Sequence, residues 1–222
     1  MISKELFLLQ SNHNKTKRNY LYRMQDEKVN CMKVAKKYEK DYWDGKRRYG
    51  YGGYKYIPGR LTKVAKKIIN KFKLNNNSKI LDLGCGKGFL LFEIKKILPN
   101  IIISGLDISR HGIKCSPKSL KKNLKVYDAR RPLPFKDKYF DLAISFGLFH
   151  NFEINELEKS ILEFSRVSKK NYLMVESYKN DEELFNLQCW ALTCNSFFST
   201  KEWKWILKKF GYKGYYEFIF FR

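Results

Sequence analysis

The sequence predicts an α/β fold: a doubly wound, mostly parallel sheet, with an N-terminal helical and loop segment lying over it as a lid. Three observations lead there. From Lys79 onward, apolar strand-like runs alternate with helical stretches, and strands separated by helices pair in parallel through right-handed crossovers. The run Ile101 to Ile108 is strongly β-branched, as strands are. The segment Lys79 to Phe89 passes from an apolar strand, through glycines at 84, 86 and 88, into a helix.

The elements follow in order. From about Thr16 to Tyr42 the chain is polar and basic, with apolar residues at irregular helical spacing, which predicts one or two surface helices. Tyr49 to Tyr56 holds four tyrosines and three glycines, too much glycine for a helix, and reads as a loop. Helical spacing resumes over Leu61 to Phe72 and ends at the Asn75-Asn76-Asn77 turn. Strands are expected at Ile80 to Leu83, Ile101 to Ile108, Leu124 to Tyr127, Phe140 to Phe146 and Tyr172 to Val175, with a strand-like end from Tyr212 to Phe221. Helices are expected at Phe89 to Leu98, stopped by Pro99, at Ser109 to Lys122, interrupted by Pro117, at Ile154 to Val167 and at Asp181 to Leu192. A last helix, Ser199 to Phe210, opens on a capping box and closes at Gly211. The chain shows no internal repeat and divides into an N-terminal lid segment, 1–60, and a binding domain, 61–222.

The composition narrows the class. With 222 residues, 44% apolar and 30% charged, the chain can bury one core without staples. No apolar run approaches the ~20 residues of a membrane helix, and Leu6 to Leu9 is too short for a signal peptide. A cytoplasmic protein without membrane partners is therefore expected. Five cysteines without short paired spacing argue against disulfides and structural zinc, so no metal is expected. The net charge of +23 raises the prior for a polyanion or phosphorylated partner. Of the 45 basic residues only ten are Arg, and the lysines look like a compositional bias on a solvated surface.

The chemistry is carried by Asp82-Leu83-Gly84-Cys85-Gly86-Lys87-Gly88. Alternate glycines let the backbone turn tightly and let a ligand lie against it, and the next helix presents free N–H groups. The spacing differs from the dinucleotide pattern G-x-G-x-x-G. Asp82 beside the loop would repel a pyrophosphate and attract an ammonium. Asp107 ends the next strand, 19 residues after Gly88, placed to accept ribose hydroxyls.

With these residues in register, the chain from Leu61 onward resembles the class I S-adenosylmethionine-dependent methyltransferases, of Rossmann-like fold. The resemblance implies S-adenosylmethionine as cofactor and S-adenosylhomocysteine as product. It implies that Gly84, Cys85 and Gly86 line the methionine moiety, that Gly88 belongs to the cofactor site and that Asp82 helps hold the ammonium. Asp107 with Ile108 would bind the ribose, and Asp128 and Ala129 the adenine. Ser145 ends the strand beside the methyl group. Arg60, with Arg47, Arg48 and Lys55, could hold a phosphate or the cofactor carboxylate. The family usually ends in a hairpin with an antiparallel last strand, whereas only about ten residues follow Gly211 here.

For the acceptor, His150 after the fourth strand is a candidate general base or a packed pocket wall. Glu176, ending the fifth, could bind the acceptor, act as base, or contact the N-terminal helices. Tyr49, Tyr51, Tyr54, Tyr56 and Arg47 could contact substrate from a closing lid, or the tyrosines could simply strap the sheet. The tryptophans Trp190, Trp203 and Trp205 read as core, and His13 and His111 as surface. The Asp44 to Arg60 segment also resembles small methyltransferases of bacterial surface-polysaccharide gene clusters, including capsule clusters. A small phosphorylated or nucleotide-linked metabolite is the expected acceptor. The rivals are an RNA methyltransferase, motivated by charge, and a cofactor-binding protein without transfer. Against RNA base methylation, Ser145-Phe146-Gly147-Leu148 stands where base-amino methylases carry [ND]-P-P-[YF], and no RNA-binding module is visible, while ribose or phosphate-end methylation stays open. The sequence does not set the oligomeric state.

Overall fold

The computed structural model describes residues 3–9 and 18–222. His13 and the start of the first predicted helical stretch lie outside the described residues. The centre is a seven-stranded sheet in the order β1-β7-β6-β5-β2-β3-β4, made of β1 (Lys4–Glu5), β2 (Lys79–Leu83), β3 (Ile102–Asp107), β4 (Leu124–Val126), β5 (Phe140–Phe146), β6 (Ser168–Glu176) and β7 (Tyr215–Ile219). Every neighbouring pair is parallel. Asp82 pairs with Gly105 on one side and Ile144 on the other. The carboxyl ends of β2, β3 and β5 are thereby brought level, and in open parallel sheets that edge is where ligands bind.

Helices cover both faces. Helices α1 (Tyr20–Gln25), α2 (Lys28–Ala35) and α3 (Lys40–Asp44) make up the N-terminal part. Then come α4 (Thr62–Phe72), α5 (Phe89–Ile97), α6 (Arg110–Lys114), α7 (Ile154–Arg166), α8 (Asp181–Trp190) and α9 (Thr200–Lys209). One face packs Leu157, Ile161 and Phe164 of α7 and Trp203, Ile206 and Leu207 of α9 against β5 to β7. The other packs Val64, Ile68 and Phe72 of α4 and Leu91 and Ile94 of α5 against β2, β3 and β5. These are the apolar stripes that helical spacing exposes on one side of each helix. The capping box at Ser199 and Glu202 forms, and a second one joins Glu153 and Glu156.

The observed elements refine the sequence reading at four places. The stretch Ser109 to Lys122 is the short helix α6, capped by Ser109, followed by a 3-10 turn over Lys118–Asn123, because Pro117 cannot continue the first helix. The loop before Arg60 contains a 3-10 turn at Arg47–Tyr49. Of the two endings for which there is room after Gly211, one strand or a truncated pair, the described residues form the first: α9 carries the chain back across the sheet, and the single strand β7 enters parallel to β6. Finally, β1 joins β7 at the sheet edge. The buried Glu217 carboxylate accepts the N–H groups of Leu8 and Leu9, 2.8 Å each, and the Tyr172 hydroxyl, tying that edge down. No described helix is long and apolar enough to cross a membrane, and all five cysteines are free.

Candidate active site

The glycine loop is held open by its backbone. Gly84, Gly86 and Gly88 all have positive φ (81°, 55° and 72°), a region other residues enter only at a cost. Gly84 and Cys85 donate their N–H groups to the Leu106 carbonyl at 2.7 and 3.1 Å, fixing the loop to β3. Gly88 caps α5, and a Cβ there would meet Leu124, so its smallness serves helix–sheet packing.

Three cavities adjoin at this edge, and Tyr51 and Phe146 line all of them. The first, about 280 Å³, takes Asp107, Ile108, Asp128 and Ala129. The second, about 510 Å³, takes Asp82, Cys85, Gly86 and Arg60. Gly84 lies on both, and Trp43 and Tyr51, stacked with parallel rings 5.1 Å apart, stand between them. The third, about 350 Å³, takes Arg47, His150, Glu176 and Trp190, with Arg60 shared from the second.

Asp82 is buried without an ion pair among the described residues. Burial first, then the nearby charge of Asp107, pushes its carboxyl up to about 8. Asp107 accepts Gly86 N–H at 2.7 Å on one oxygen and Ser109 N–H at 2.8 Å on the other, while burial raises its pKa above the usual range. Asp128 is different. Arg130 grips both its oxygens, at 2.9 and 2.7 Å, and holds its carboxyl below the usual range. The Cys85 thiol is pushed well up by burial and the two aspartates, which makes it a poor nucleophile.

His150 and Glu176 meet in the third cavity. His150 Nδ1 accepts the Glu176 N–H at 3.1 Å, and Nε2 lies 3.5 Å from Glu176 Oε2. Burial lowers the His150 pKa against the opposing effect of Glu176. Because Nδ1 accepts, the neutral ring carries its proton on Nε2, facing the carboxylate. The Trp203 indole N–H holds the Glu176 carbonyl at 3.1 Å.

Other residues fall elsewhere. Ser145 is fully buried and gives its hydroxyl to the Leu83 carbonyl at 2.8 Å, bracing β5 on β2 and facing none of the three cavities. Tyr49 packs on Arg48 outside the cavities, unlike Tyr51, Tyr54 and Tyr56. Tyr54 stacks on Phe89, and Tyr56 gives its hydroxyl to Glu93. Trp205 is 64% exposed rather than core, while Trp203 is fully buried. His111 is not a free surface residue: its Nε2 lies 2.7 Å from Asp44 Oδ2 and 3.5 Å from Cys115 Sγ. Those three groups lie within 4.8 Å of one another, and the Lys87 ammonium sits 2.7 Å from both Asp44 oxygens, supplying the cation there.

Sequence reasoning missed Trp43, Lys87, Arg18 and Arg23. The buried Lys87, inside the glycine motif, bonds Asp44 and the Tyr54 carbonyl and so fastens the N-terminal segment to the loop. The one available signal was arginine itself: four of the chain's ten line the third cavity, in a protein that otherwise uses lysine.

Residues 74–211 match the family described as Methyltransferase domain. The chain belongs to that family. Its class I fold and its implied cofactor, S-adenosylmethionine, follow from this membership. Among curated relatives, the ubiquinone biosynthesis O-methyltransferase of Pelagibacter ubique is 29% identical over 66% of this chain and 63% of its own length. The ribosomal RNA small subunit methyltransferase C of Buchnera aphidicola is 32% identical over 48% of this chain and 35% of its own length. A solved SAM-dependent methyltransferase from Archaeoglobus fulgidus shares the fold at TM-score 0.54 and 23% identity, over 68% of this chain and 67% of that one. The chain spans about half to two thirds of the length of the first curated relatives.

The site fits that cofactor. Asp82 is a buried carboxyl with no ion pair among the described residues, suited to face an ammonium, and the positive-φ Gly84 lies beside it on both of the first two cavities.

Proposed function

We propose that this methyltransferase-family protein methylates a small anionic metabolite, with the cofactor across the first two cavities and the acceptor in the third. The observation that carries this is the meeting of all three cavities at Tyr51 and Phe146, which puts His150 and Glu176 one wall away from the cofactor groove. In this reading Asp82 faces the cofactor ammonium, Asp107 the ribose hydroxyls, and Ile108, Asp128 and Ala129 the adenine. Tyr38 to Tyr56 is the lid, and Lys4–Glu5 belongs to the sheet.

The bound cofactor supplies an electrophilic methyl group, so the protein's work is alignment and, for a hydroxyl acceptor, removal of one proton. Glu176 takes that proton, and His150, which accepts the Glu176 N–H on Nδ1 and faces the carboxylate with Nε2, positions it. Tyr51 and Trp43 close the groove and exclude water. Arg60, lying on both the second and third cavities, faces the anionic end of either ligand. A cytoplasmic acceptor from surface-polysaccharide synthesis, including capsule, is supported by the resemblance of the Asp44 to Arg60 segment.

The RNA reading is favoured by the +23 charge and by ribosomal RNA methyltransferases among the relatives. Incubation with methyl-labelled cofactor and a size-fractionated bacterial extract separates the two. Label in small metabolites, insensitive to ribonuclease, is expected; label in ribonuclease-sensitive large material overturns the proposal.

A further inference from the structure

The geometry points to the third cavity as a phosphoryl-binding site, in which Arg23 and Arg47, gathered on Trp190 with Arg18, grip a terminal phosphate of the acceptor. The inference rests on the acceptor reading above and names the chemistry of its anion.

Three guanidinium groups crowd one indole. The Cζ atoms of Arg23, Arg47 and Arg18 lie 5.0, 5.2 and 5.4 Å from the Trp190 ring centre. The first two come from different segments, α1 and the Arg47–Tyr49 turn, and Trp190 ends α8, so the cluster is assembled by the fold. Arg23 is only 8% exposed. Its Nη1 donates to the Arg47 carbonyl at 2.8 Å, and Arg47 Nη1 donates to the Gly50 carbonyl. Neither guanidinium has a carboxylate within ion-pair distance among the described residues; the nearby Asp26 is taken by Arg48 at 2.8 Å. Arg23 Nε is buried without a hydrogen-bond partner while its side chain lines the cavity.

Such an arrangement is costly on its own. Removing a guanidinium from water without a counter-charge, beside others of like sign, is unfavourable, and an indole face offsets only part of the cost. The strain is visible in the charges themselves: burial and the neighbouring arginines lower the pKa of both Arg23 and Arg47. An oxyanion in the cavity relieves all of it at once. A phosphoryl dianion, with three terminal oxygens, matches several forked donors converging from different directions better than a planar carboxylate, which one Arg satisfies.

The other end of the cavity sets the acceptor's shape. Glu176 is the one carboxylate on the described lining, and it faces His150 rather than the arginines. Phe146, Gly147 and Tyr51 join this wall to the cofactor groove. The acceptor is therefore a compact molecule with a phosphoryl group at Trp190 and its nucleophile near Glu176. A volume of about 350 Å³ suits one metabolite.

The test uses binding to the whole protein, with inorganic phosphate, acetate and S-adenosylmethionine titrated separately by calorimetry at constant ionic strength. Phosphate is expected to bind at least tenfold more tightly than acetate, and Arg47→Gln to weaken it at least tenfold while leaving cofactor affinity within twofold. Arg23→Gln should act likewise; should it fail to fold, Arg47→Gln and Trp190→Phe carry the test. Phosphate binding no tighter than acetate, or unchanged in Arg47→Gln, overturns the inference, and intact cofactor binding in the same samples shows that the methyltransferase reading survives it. A wild-type protein that binds phosphate but not the cofactor would instead overturn that reading. A 5′-phosphorylated oligoribonucleotide binding more than tenfold tighter than a sugar phosphate would overturn the metabolite-sized acceptor.

Discussion

The indole of Trp43 lies against Gly86, so close that a Cβ added at Gly86 would come within 2.7 Å of Trp43 Cη2. The same indole N–H bonds Ser109 Oγ at 2.9 Å, next to Asp107. The smallness of Gly86 thus admits the Trp43 ring, and the N-terminal segment and the glycine loop pack as one unit.

Substituting Gly86→Ala is expected to destabilise the protein by about 2 kcal/mol, from the left-handed backbone and the clash together. In a Trp43→Ala background the cost should fall by about 1 kcal/mol, because only the backbone part is left. Urea unfolding of the four proteins of the cycle measures this; strict additivity would mean that the ring does not bear on the glycine.

Asp82 predicts an opposition between stability and binding. Its folded pKa, about 8, lies above its ordinary value of 3.8, so its contribution to stability is full below pH 3.8 and is lost as pH rises toward 8. Asp82→Asn should therefore raise the melting temperature of the cofactor-free protein, and more at pH 8.5 than at pH 5. The same change should weaken S-adenosylmethionine by about tenfold or more, through the lost ammonium contact. Thermal melts and calorimetry at the two pH values check both halves.

Asp107→Ala is expected to lower cofactor affinity by about a hundredfold, the worth of two charge-assisted hydrogen bonds. It also releases the N–H groups of Gly86 and Ser109. Equilibrium binding that stays unchanged would remove Asp107 from the cofactor site.

Glu176 and His150 should separate kinetically. Glu176→Gln is expected to reduce kcat by about a hundredfold with cofactor affinity unchanged. His150→Gln should cost less, since it leaves the carboxylate in place. Burial lowers the His150 pKa, so the ring is neutral at and above pH 6.5 and its contribution to stability is lost as pH falls below that value. The pH–rate profile should therefore show no inflection near 6.5 that disappears in His150→Gln.

Much of this was legible in the residues. Strand and helix periods placed β2 to β5 and α4, α5, α7, α8 and α9 close to their observed bounds, because both faces of a parallel sheet demand long apolar runs and amphipathic covers, whereas α6 is far shorter than the predicted stretch and β6 begins well before Tyr172. Asp82, the glycines and Asp107 were legible because their chemistry needs fixed spacing along one strand–turn–helix unit. Ser145 was misread because a strand position does not reveal which face its side chain takes once a carbonyl of the next strand is in reach. Trp43, Arg18 and Arg23 were not legible as site residues because they arrive from a segment of weak periodicity, and only the fold brings them to Gly86 and Trp190. The two-residue strand β1 was invisible for a related reason: its partner is at the far end of the chain.

That pairing has a consequence for the order of events during synthesis. Leu8 waits for Glu217, 209 residues later, before its N–H is satisfied. On the ribosome the open edge of β7 and the residues around Leu8 therefore come together last, after the rest of the sheet has a template to build on. The seam should be the last to form and the first to fray, which hydrogen exchange at Leu8 and Leu9 would time directly.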